Sequence, residues 1–479
     1  MTSNFTIGEI VLINNLLYCE ELGSSEGTFL SKVWENHTIG DFINAVLYNA
    51  AKIVDDKEYS SGITGAEYKE ILWAIRPNDH LKNLNIREVH IEDVCEGEGR
   101  SVFLFDPSCN EAVIAFKGTQ SEAEWRDNVS GLYQVPTRFQ SNALNWFKSL
   151  NLEECSAITV TGHSKGGNKA KFITIMDDSV DNCYSFDGQG FSDEFIRKYA
   201  SEIIKNQGKI VNIIAQSDFV NILLNDVGKR QFYLGTNYGR LGFAENHCSN
   251  AVLFYDDFGG MSVWKAQEQD KKMRDLDIML NSFIRSSRMS TREGVARMLG
   301  EVIVGAYSGS PDKILGVFAD ENHSENAAKL VAFILRYKAE KPSMVKSVRE
   351  IMQQNGFDTG MIGVIDFVTN SELLMELIGK QPKAIISLLK MNHIQQPVID
   401  FLTKHMELFD FLVLVAKDMR KVDPLKYSGE DLKAEDTGMT LGAGKRFFIP
   451  RRVIVLAVIL VLLAIVLLLV WFFRTRYSI

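Results

Sequence analysis

The sequence predicts an α/β domain, followed by an all-α domain and a single C-terminal transmembrane helix. Short apolar runs alternate with helical patterns between about residues 100 and 215, which is typical of parallel strands joined by right-handed helical crossovers. After about residue 262 the strand patterns stop, and apolar residues recur at helical spacing. The expected parts are a domain over 1–262 with a helical N-terminal portion, a helical domain over 263–420, a linker over 421–452 and an anchor over 453–473.

The N-terminal part of the first domain has helical patterns, in IGEIVLINNLLYCEEL and GDFINAVLYNAAKI. The apolar runs SVFLF (101–105) and AVIAF (112–116) then flank a turn-forming Asp-Pro-Ser-Cys-Asn, which predicts a hairpin. Helices and strands alternate in the segments that follow: TRFQSNALNWFKSL, AITVTG, Ser164 to about Met176, CYSFD, SDEFIRKYASEII and KIVNIIA.

Composition excludes several classes of function. The formal net charge of −9 argues against a nucleic-acid-binding protein, which needs a concentrated basic face. The six cysteines are scattered without a C-x-x-C pair, so neither a zinc site nor a disulfide framework is expected, and reduced thiols in a cytosolic setting are predicted. No basic segment followed by an apolar run opens the chain, so no secretory signal peptide is expected.

The apolar run 453–473 carries no charge and predicts a membrane anchor. As a helix it would be roughly 30 Å long, which matches the hydrocarbon core of a bilayer. A buried core helix is the alternative, but soluble helices rarely run so far without a polar position. Basic residues are denser before the run than after it, so the positive-inside rule places the bulk of the protein on the cytoplasmic side. These residues are Lys445, Arg446, Arg451 and Arg452 before it, and Arg474 and Arg476 after it.

The helical domain is predicted from REGVARMLGEVIVGAY, NAAKLVAFILRYKA and SMVKSVREIMQQNG, which have amphipathic helical spacing. The run LFDFLVLVA (408–416) is too short to span a bilayer, so it predicts a core helix, with membrane-surface contact as the alternative. Residues 421–444 are polar and of mixed charge, as in a linker.

The stretch TGHSKGGN contains G-x-S-x-G around Ser164, the pattern of a nucleophile elbow. The motif is common by chance, but here a buried-strand pattern precedes it and a helical pattern follows it, as an elbow requires. Gly162 and Gly166 leave room for the tight turn. The backbone N–H of Lys165, at the start of the helix, would then point at a developing oxyanion.

Three segments together carry a family resemblance: AFKGT (115–119), EWRDN (124–128) and TGHSKGG (161–167). They resemble class 3 lipases, and they are closer still to the Mbeg-like branch of bacterial α/β-hydrolases. The resemblance covers roughly residues 5–260 and implies an α/β-hydrolase (class 3 lipase-like) fold. It also implies that Thr119 supplies a second oxyanion donor through its backbone N–H and hydroxyl.

The resemblance places a mobile lid at 120–135, for which an ordinary surface loop is the alternative. The lid's apolar underside would comprise Val129, Leu132, Tyr133 and Val135. Trp125 and Asp127 resemble a structural pair of the family, with packing and loop-holding roles. Lys117 and Lys165 depart from class 3 lipases, which usually carry Arg and Leu there. Lys165 would either favour an anionic substrate such as a phospholipid or point to solvent.

A nucleophilic serine needs a histidine base and an orienting carboxylate, which in this fold follow in the order Ser, Asp, His. Among the later histidines, His247 precedes a strand-like run, as the family's catalytic histidine does. Asp218 follows the strand pattern VNIIA and is the predicted acid; Asp187 is predicted to be structural and is the alternative acid. His163, beside the serine, is predicted to support the turn. The remaining later histidines, in the helical region, are His323, His393 and His405.

The expected function is therefore a membrane-anchored serine hydrolase of lipid esters, of lipase or phospholipase type. Ser164, Asp218 and His247 would form its triad, Thr119 and Lys165 its oxyanion hole, and no metal or cofactor is required. The expected partners are a lipid or other acyl-ester substrate and the membrane. Two alternatives stay open: a thioesterase or peptidase with the same triad, and an inactive tail-anchored interaction protein.

Overall fold

The structure is a computed structural model. It describes residues 4–60, 62–94, 97–235, 245–255, 261–307, 316–318, 320–336, 387, 390, 396–404 and 407–419. The chain divides into two compact units, Met1–Arg274 and Asp275–Ile479.

The first unit opens with helices, as predicted: α1 (Ile7–Leu16), α2 (Ile39–Tyr48), α3 (Gly65–Ile75) and the short α4 (Asp79–Lys82). Each of the first three begins at a threonine whose hydroxyl accepts the N–H of an acidic residue three positions on. That acidic side chain accepts the threonine N–H in return, which completes a capping box. A small hairpin, β1 (Glu58–Ser60) and β2 (Ile63–Thr64), precedes α3.

A central sheet of seven strands follows, ordered β3 to β9. The strands are β3 (Asn85–Val94), β4 (Gly97–Asp106), β5 (Glu111–Phe116), β6 (Ala157–His163), β7 (Asn182–Phe186), β8 (Ile210–Ala215) and β9 (Lys229–Tyr233). The strands β3, β4 and β5 pair antiparallel, which confirms the predicted hairpin, and β5 to β9 pair parallel. The α/β class predicted for this region is therefore confirmed.

Helices cover both faces of the sheet. Between β5 and β6 lie α5 (Glu122–Ser130) and α6 (Arg138–Ser149); α7 (Lys165–Met176) follows β6. The predicted helix SDEFIRKYASEII is divided at Tyr199 into α8 (Asp193–Lys198) and α9 (Ala200–Asn206). Alternate residues of β5 enter different cores: Val113 and Ala115 join the N-terminal helices, and Ala112 and Ile114 join α6 and α7. Burial on both faces explains why this strand is apolar throughout.

Two short strands, β10 (Phe254–Tyr255) and β11 (Met261–Ser262), pair antiparallel after the central sheet. Helix α10 (Lys271–Ser286) spans the boundary between the units. The described helices of the second unit are α11 (Met289–Tyr307), α12 (Glu321–Arg336), α13 (Gln396–Lys404) and α14 (Glu407–Met419).

Helices α11, α12 and α14 contain segments for which helices were predicted, and α12 packs against both of the others. The predicted helix over 343–356, the linker and the predicted anchor over 453–473 lie outside the described residues. Within the described ranges, no helix is both long enough and apolar enough to cross a membrane.

Candidate active site

Ser164 lies on a sharp turn between the end of β6 and the start of α7. Its backbone has φ 58° and ψ −123°, which is strained for a residue with a side chain. A Cβ on Gly162 would lie 2.2 Å from the Gly166 carbonyl carbon, and one on Gly166 would lie 1.9 Å from the Phe116 carbonyl oxygen. The two glycines therefore allow β5, β6 and α7 to approach closely enough to form the elbow.

The structure brings Ser164, His247 and Asp218 into one hydrogen-bonded chain. The Ser164 Oγ lies 2.8 Å from the His247 Nε2, and the His247 Nδ1 lies 2.5 Å from the Asp218 Oδ2. Because an ionised carboxylate only accepts hydrogen bonds, the Nδ1 carries the proton and the Nε2 accepts from the serine hydroxyl. This is the geometry in which a histidine can remove the serine proton.

Asp218 is fully buried, and hydrogen bonds to its other carboxylate oxygen, Oδ1, hold it in place. The Asp218 Oδ1 accepts the backbone N–H groups of Val220 and Asn221, each at 2.8 Å, and the Asn221 side-chain amide at 2.8 Å. The Asn221 side-chain oxygen in turn accepts from the Gln269 amide at 2.8 Å. These bonds leave the Oδ2 directed at His247 and orient the imidazole.

The predicted oxyanion donors lie on either side of Ser164. A Cβ on Gly118 would lie 3.2 Å from the Ser164 Cβ, so the segment leaving β5 passes beside the serine just before Thr119. The Thr119 hydroxyl accepts a hydrogen bond from the Asn128 side chain at 2.8 Å, which leaves its own proton available to donate. The Lys165 N–H is the first of α7, so it has no intrahelical partner and lies at the positive end of the helix dipole.

Asp187, the alternative acid, does not bond to His247 in this arrangement. It is fully buried, and its Oδ1 accepts the Ala215 N–H at 2.9 Å and the Asn221 amide at 3.3 Å. Burial, and next the negative charge of Asp218, raise the pKa of Asp187 well above its usual range. The neutral form of the Asp187 carboxyl is therefore favoured beside the negatively charged Asp218.

His163 packs behind His247, with ring centroids 4.8 Å apart. The His163 Nδ1 lies 2.7 Å from the Tyr18 hydroxyl, and burial, followed by the charge of His247, lowers the pKa of His163 well below its usual range. A neutral, buried ring of this kind supports the turn and the neighbouring imidazole. Sequence reasoning missed Tyr18, which lies just after α1 and 145 residues away from His163 along the chain.

The side chain of Lys165 is buried, so the expectation that it points to solvent is wrong, whereas a preference for an anionic substrate stays a prediction. It is 2% exposed and forms an ion pair with Asp127 on α5. The Asp127 Oδ2 also accepts from the Thr137 hydroxyl at 2.7 Å, and its Oδ1 accepts the Phe139 N–H at 3.2 Å. Burial alone would raise the pKa of Asp127, but the Lys165 ammonium and these hydrogen bonds outweigh it and lower the pKa. The lysine charge is therefore neutralised within the protein.

The segment at the predicted lid position forms α5 over Glu122–Ser130, so the surface-loop alternative is wrong for these residues. Glu124 on this helix forms a second buried ion pair, with Lys169 of α7 at 3.0 Å. Lys117 is likewise buried rather than exposed, and it pairs with Glu20. Within the described part of the chain, no cluster of His, Cys, Asp and Glu side chains could hold a metal ion.

The mainly parallel sheet, the strained serine between strand and helix, and the Ser–His–Asp geometry are features typical of the α/β-hydrolase fold. Residues 79–237 match the family model described as Mbeg1-like, which confirms the resemblance predicted from the sequence.

Two solved structures are similar to the chain, each at 13% identity. The Lip2 lipase of Yarrowia lipolytica has a TM-score of 0.30, and the match covers 55% of this chain and 84% of the lipase. The M37 lipase has a TM-score of 0.25, with 46% of this chain and 70% of the lipase covered. None of the curated proteins compared with the chain matches it.

Proposed function

We propose that the chain is a serine hydrolase that cleaves carboxylic esters of lipids through an acyl-enzyme. The observation that carries the proposal is the chain of two hydrogen bonds at the site. One joins the Ser164 Oγ to the His247 Nε2 at 2.8 Å, and the other joins the His247 Nδ1 to the Asp218 Oδ2 at 2.5 Å. A serine on a strained turn, bonded to a histidine that a buried carboxylate orients, has the arrangement needed for nucleophilic attack.

In the proposed reaction the Ser164 Oγ attacks the ester carbonyl while the His247 Nε2 takes the serine proton. The resulting oxyanion is stabilised by the N–H groups of Thr119 and Lys165, and by the Thr119 hydroxyl. Collapse of the tetrahedral intermediate releases the alcohol, which receives the proton from His247. His247 then takes a proton from a water molecule that attacks the acyl-enzyme, and collapse of the second tetrahedral intermediate breaks the bond to the Ser164 Oγ, releases the carboxylic acid and returns the proton to Ser164, with no metal or cofactor involved.

The lipid substrate and the membrane location rest on features other than the triad. The same triad would serve a thioesterase or a peptidase, because the elbow does not determine the leaving group. Anchoring by residues 453–473, with the first unit on the cytoplasmic side, would bring the site close to lipid esters. The hydrogen bond between the Ser164 Oγ and the His247 Nε2 argues against an inactive, tail-anchored interaction protein.

A fluorophosphonate probe tests the central claim, because it labels only an activated serine. The full-length chain should be labelled, Ser164→Ala should not be, and Ser201→Ala, which removes an exposed hydroxyl elsewhere on the unit, should be labelled like the original protein. Folded protein that takes up no label would refute the proposal.

Substrate class and anchoring need separate measurements. Hydrolysis of matched oxyester, thioester and amide substrates with the same acyl chain would separate a lipid esterase from the two enzymatic alternatives; we expect the oxyester to be cleaved fastest. Truncation before Lys445 should move the protein from the membrane fraction to the soluble fraction. A truncated protein that stays with the membrane would contradict the proposed anchor.

A further inference from the structure

Two buried ion pairs join α5, the helix at the lid position, to α7, the helix that starts at the elbow. Glu124 pairs with Lys169, and Asp127 pairs with Lys165. The two acids are three residues apart on α5 and the two lysines four apart on α7, so each pair of like charges lies on one face of its helix. The helices are therefore held together over a full turn.

These four charged side chains are between 1% and 5% exposed. Moving α5 away would leave unpaired charges at a site from which water is largely excluded, and breaking buried pairs in this way is strongly unfavourable. A neutral hydrogen bond adds to the attachment, since the Gln189 side chain donates to the Asn128 carbonyl oxygen at 3.1 Å. Displacement of α5 would break all of these contacts together.

Contact with a lipid surface would contribute little favourable free energy to offset the loss of these ion pairs and hydrogen bonds. A helix is drawn to a lipid surface by a wide apolar face, and binding strengthens with the apolar area that becomes buried. The α5 sequence, EAEWRDNVS, provides only Ala123, Trp125 and Val129 as apolar residues. Its polar and acidic side chains would have to enter or approach the interface with them.

We infer that α5 is a fixed wall of the site and that the substrate is a single dispersed ester molecule, which enters without displacement of α5. This inference rests on the proposed function. Hydrolysis should then depend on the concentration of individual ester molecules, and an aggregated lipid surface should not switch the enzyme on.

The kinetic test follows hydrolysis of p-nitrophenyl butyrate by the full-length chain in amphipol, as the ester concentration is raised through its solubility limit. The rate should saturate with dissolved ester and change by less than about twofold beyond the limit. A rise of about threefold or more at the limit, as expected when an interface drives a lid open, would overturn the inference.

Hydrogen–deuterium exchange of α5 tests the same inference without any need for turnover. The α5 amides should be protected, and neutral phosphatidylcholine vesicles should leave that protection unchanged. Exchange that accelerates about tenfold or more on vesicle addition would mean that α5 opens. If the fluorophosphonate probe fails to label Ser164, the proposed function fails, and the exchange result still decides whether α5 is fixed.

A double variant distinguishes a fixed α5 from an α5 that is a lid held closed by its ion pairs. Glu124→Gln with Lys169→Met removes one buried pair without leaving a lone charge, and it should speed α5 exchange and leave the rate on dissolved ester unchanged or lower. Glu122→Gln, which breaks the exposed pair with Arg126 on the same helix, should change neither measurement. A several-fold gain in rate in the double variant alone would identify α5 as a closed lid and overturn the inference.

Discussion

Replacement of Asp127 by Asn should destabilise the first unit strongly, because it removes one charge of a buried pair and keeps the shape of the side chain. Asp127 and Lys165 have side-chain exposures of 5% and 2%, so the remaining ammonium has little access to water. Removing one partner of a buried pair costs about 3–5 kcal/mol. For a unit of this size, that loss lowers the unfolding temperature by roughly 6–20 °C.

The assay is a double-mutant cycle read by thermal and urea unfolding of the full-length chain. Lys165→Leu introduces the residue that class 3 lipases usually carry, and the combined variant buries no unpaired charge. We expect Asp127→Asn with Lys165→Leu to recover most of the stability that either single change loses, since replacing a whole buried pair by neutral groups is often close to neutral.

The matched control is Glu122→Gln, which removes one charge of an exposed ion pair on the same helix. Exposed pairs contribute about 0–1 kcal/mol. The buried pair does not stabilise the unit as expected if Asp127→Asn costs no more than this control, or if the combined variant is as unstable as the sum of the two single variants. Either result would mean that the ion pair between Lys165 and Asp127 contributes little to the free energy of unfolding.

Changes at Asp218, Gly166 and Asp127 should each have a different measurable effect. Asp218→Asn should lower kcat by about 10⁴-fold without loss of fold, because an amide no longer favours the required imidazole tautomer; ester hydrolysis and circular dichroism measure the two effects. Gly166→Ala should abolish soluble expression, because its Cβ would meet the Phe116 carbonyl oxygen at 1.9 Å, whereas Gly208→Ala, with nothing within 4 Å, should express normally. The pKa of Asp127 is lowered in the folded state, so its stabilising contribution is complete above about pH 4–5 and is lost as the pH falls through the lowered pKa. Urea unfolding from pH 7 to pH 3 should therefore show a smaller acid-dependent loss in Asp127→Asn than in the original chain.

The strands that sequence predicted are those buried on both faces. The strands β4 to β8 are mostly apolar, because neighbours on each side and helices above and below exclude water. The sheet-edge strands β3 and β9 were not predicted. Their sequences, NIREVHIEDV and KRQFY, mix charged and apolar residues, as edge strands do, and such patterns do not stand out from loops.

The elbow was predictable because its signal is local: strand, two glycines and helix lie within one short stretch. The family resemblance, together with the positions of Asp218 after and His247 before strand patterns, predicts both residues, and both lie within hydrogen-bond distance of the expected neighbours. Their supports were not predictable. Nothing in the sequence distinguishes Asn221, which supports Asp218, from any other polar residue after a strand. Tyr18 reaches His163 only because α1 packs against the sheet.

Lys165 shows why a charge beside an active site cannot be interpreted from its neighbours in sequence. Its partner, Asp127, is 38 residues away, and two further buried lysines of α7 find carboxylates in the same manner. These are Lys169 with Glu124 on α5, and Lys171 with Asp226 between β8 and β9. A leucine at position 165 would need no partner, so the segment above it could move without leaving a charge behind. A lysine there requires Asp127 to stay in place, and the same substitution that looked like a substrate determinant is therefore better explained as the attachment point of α5.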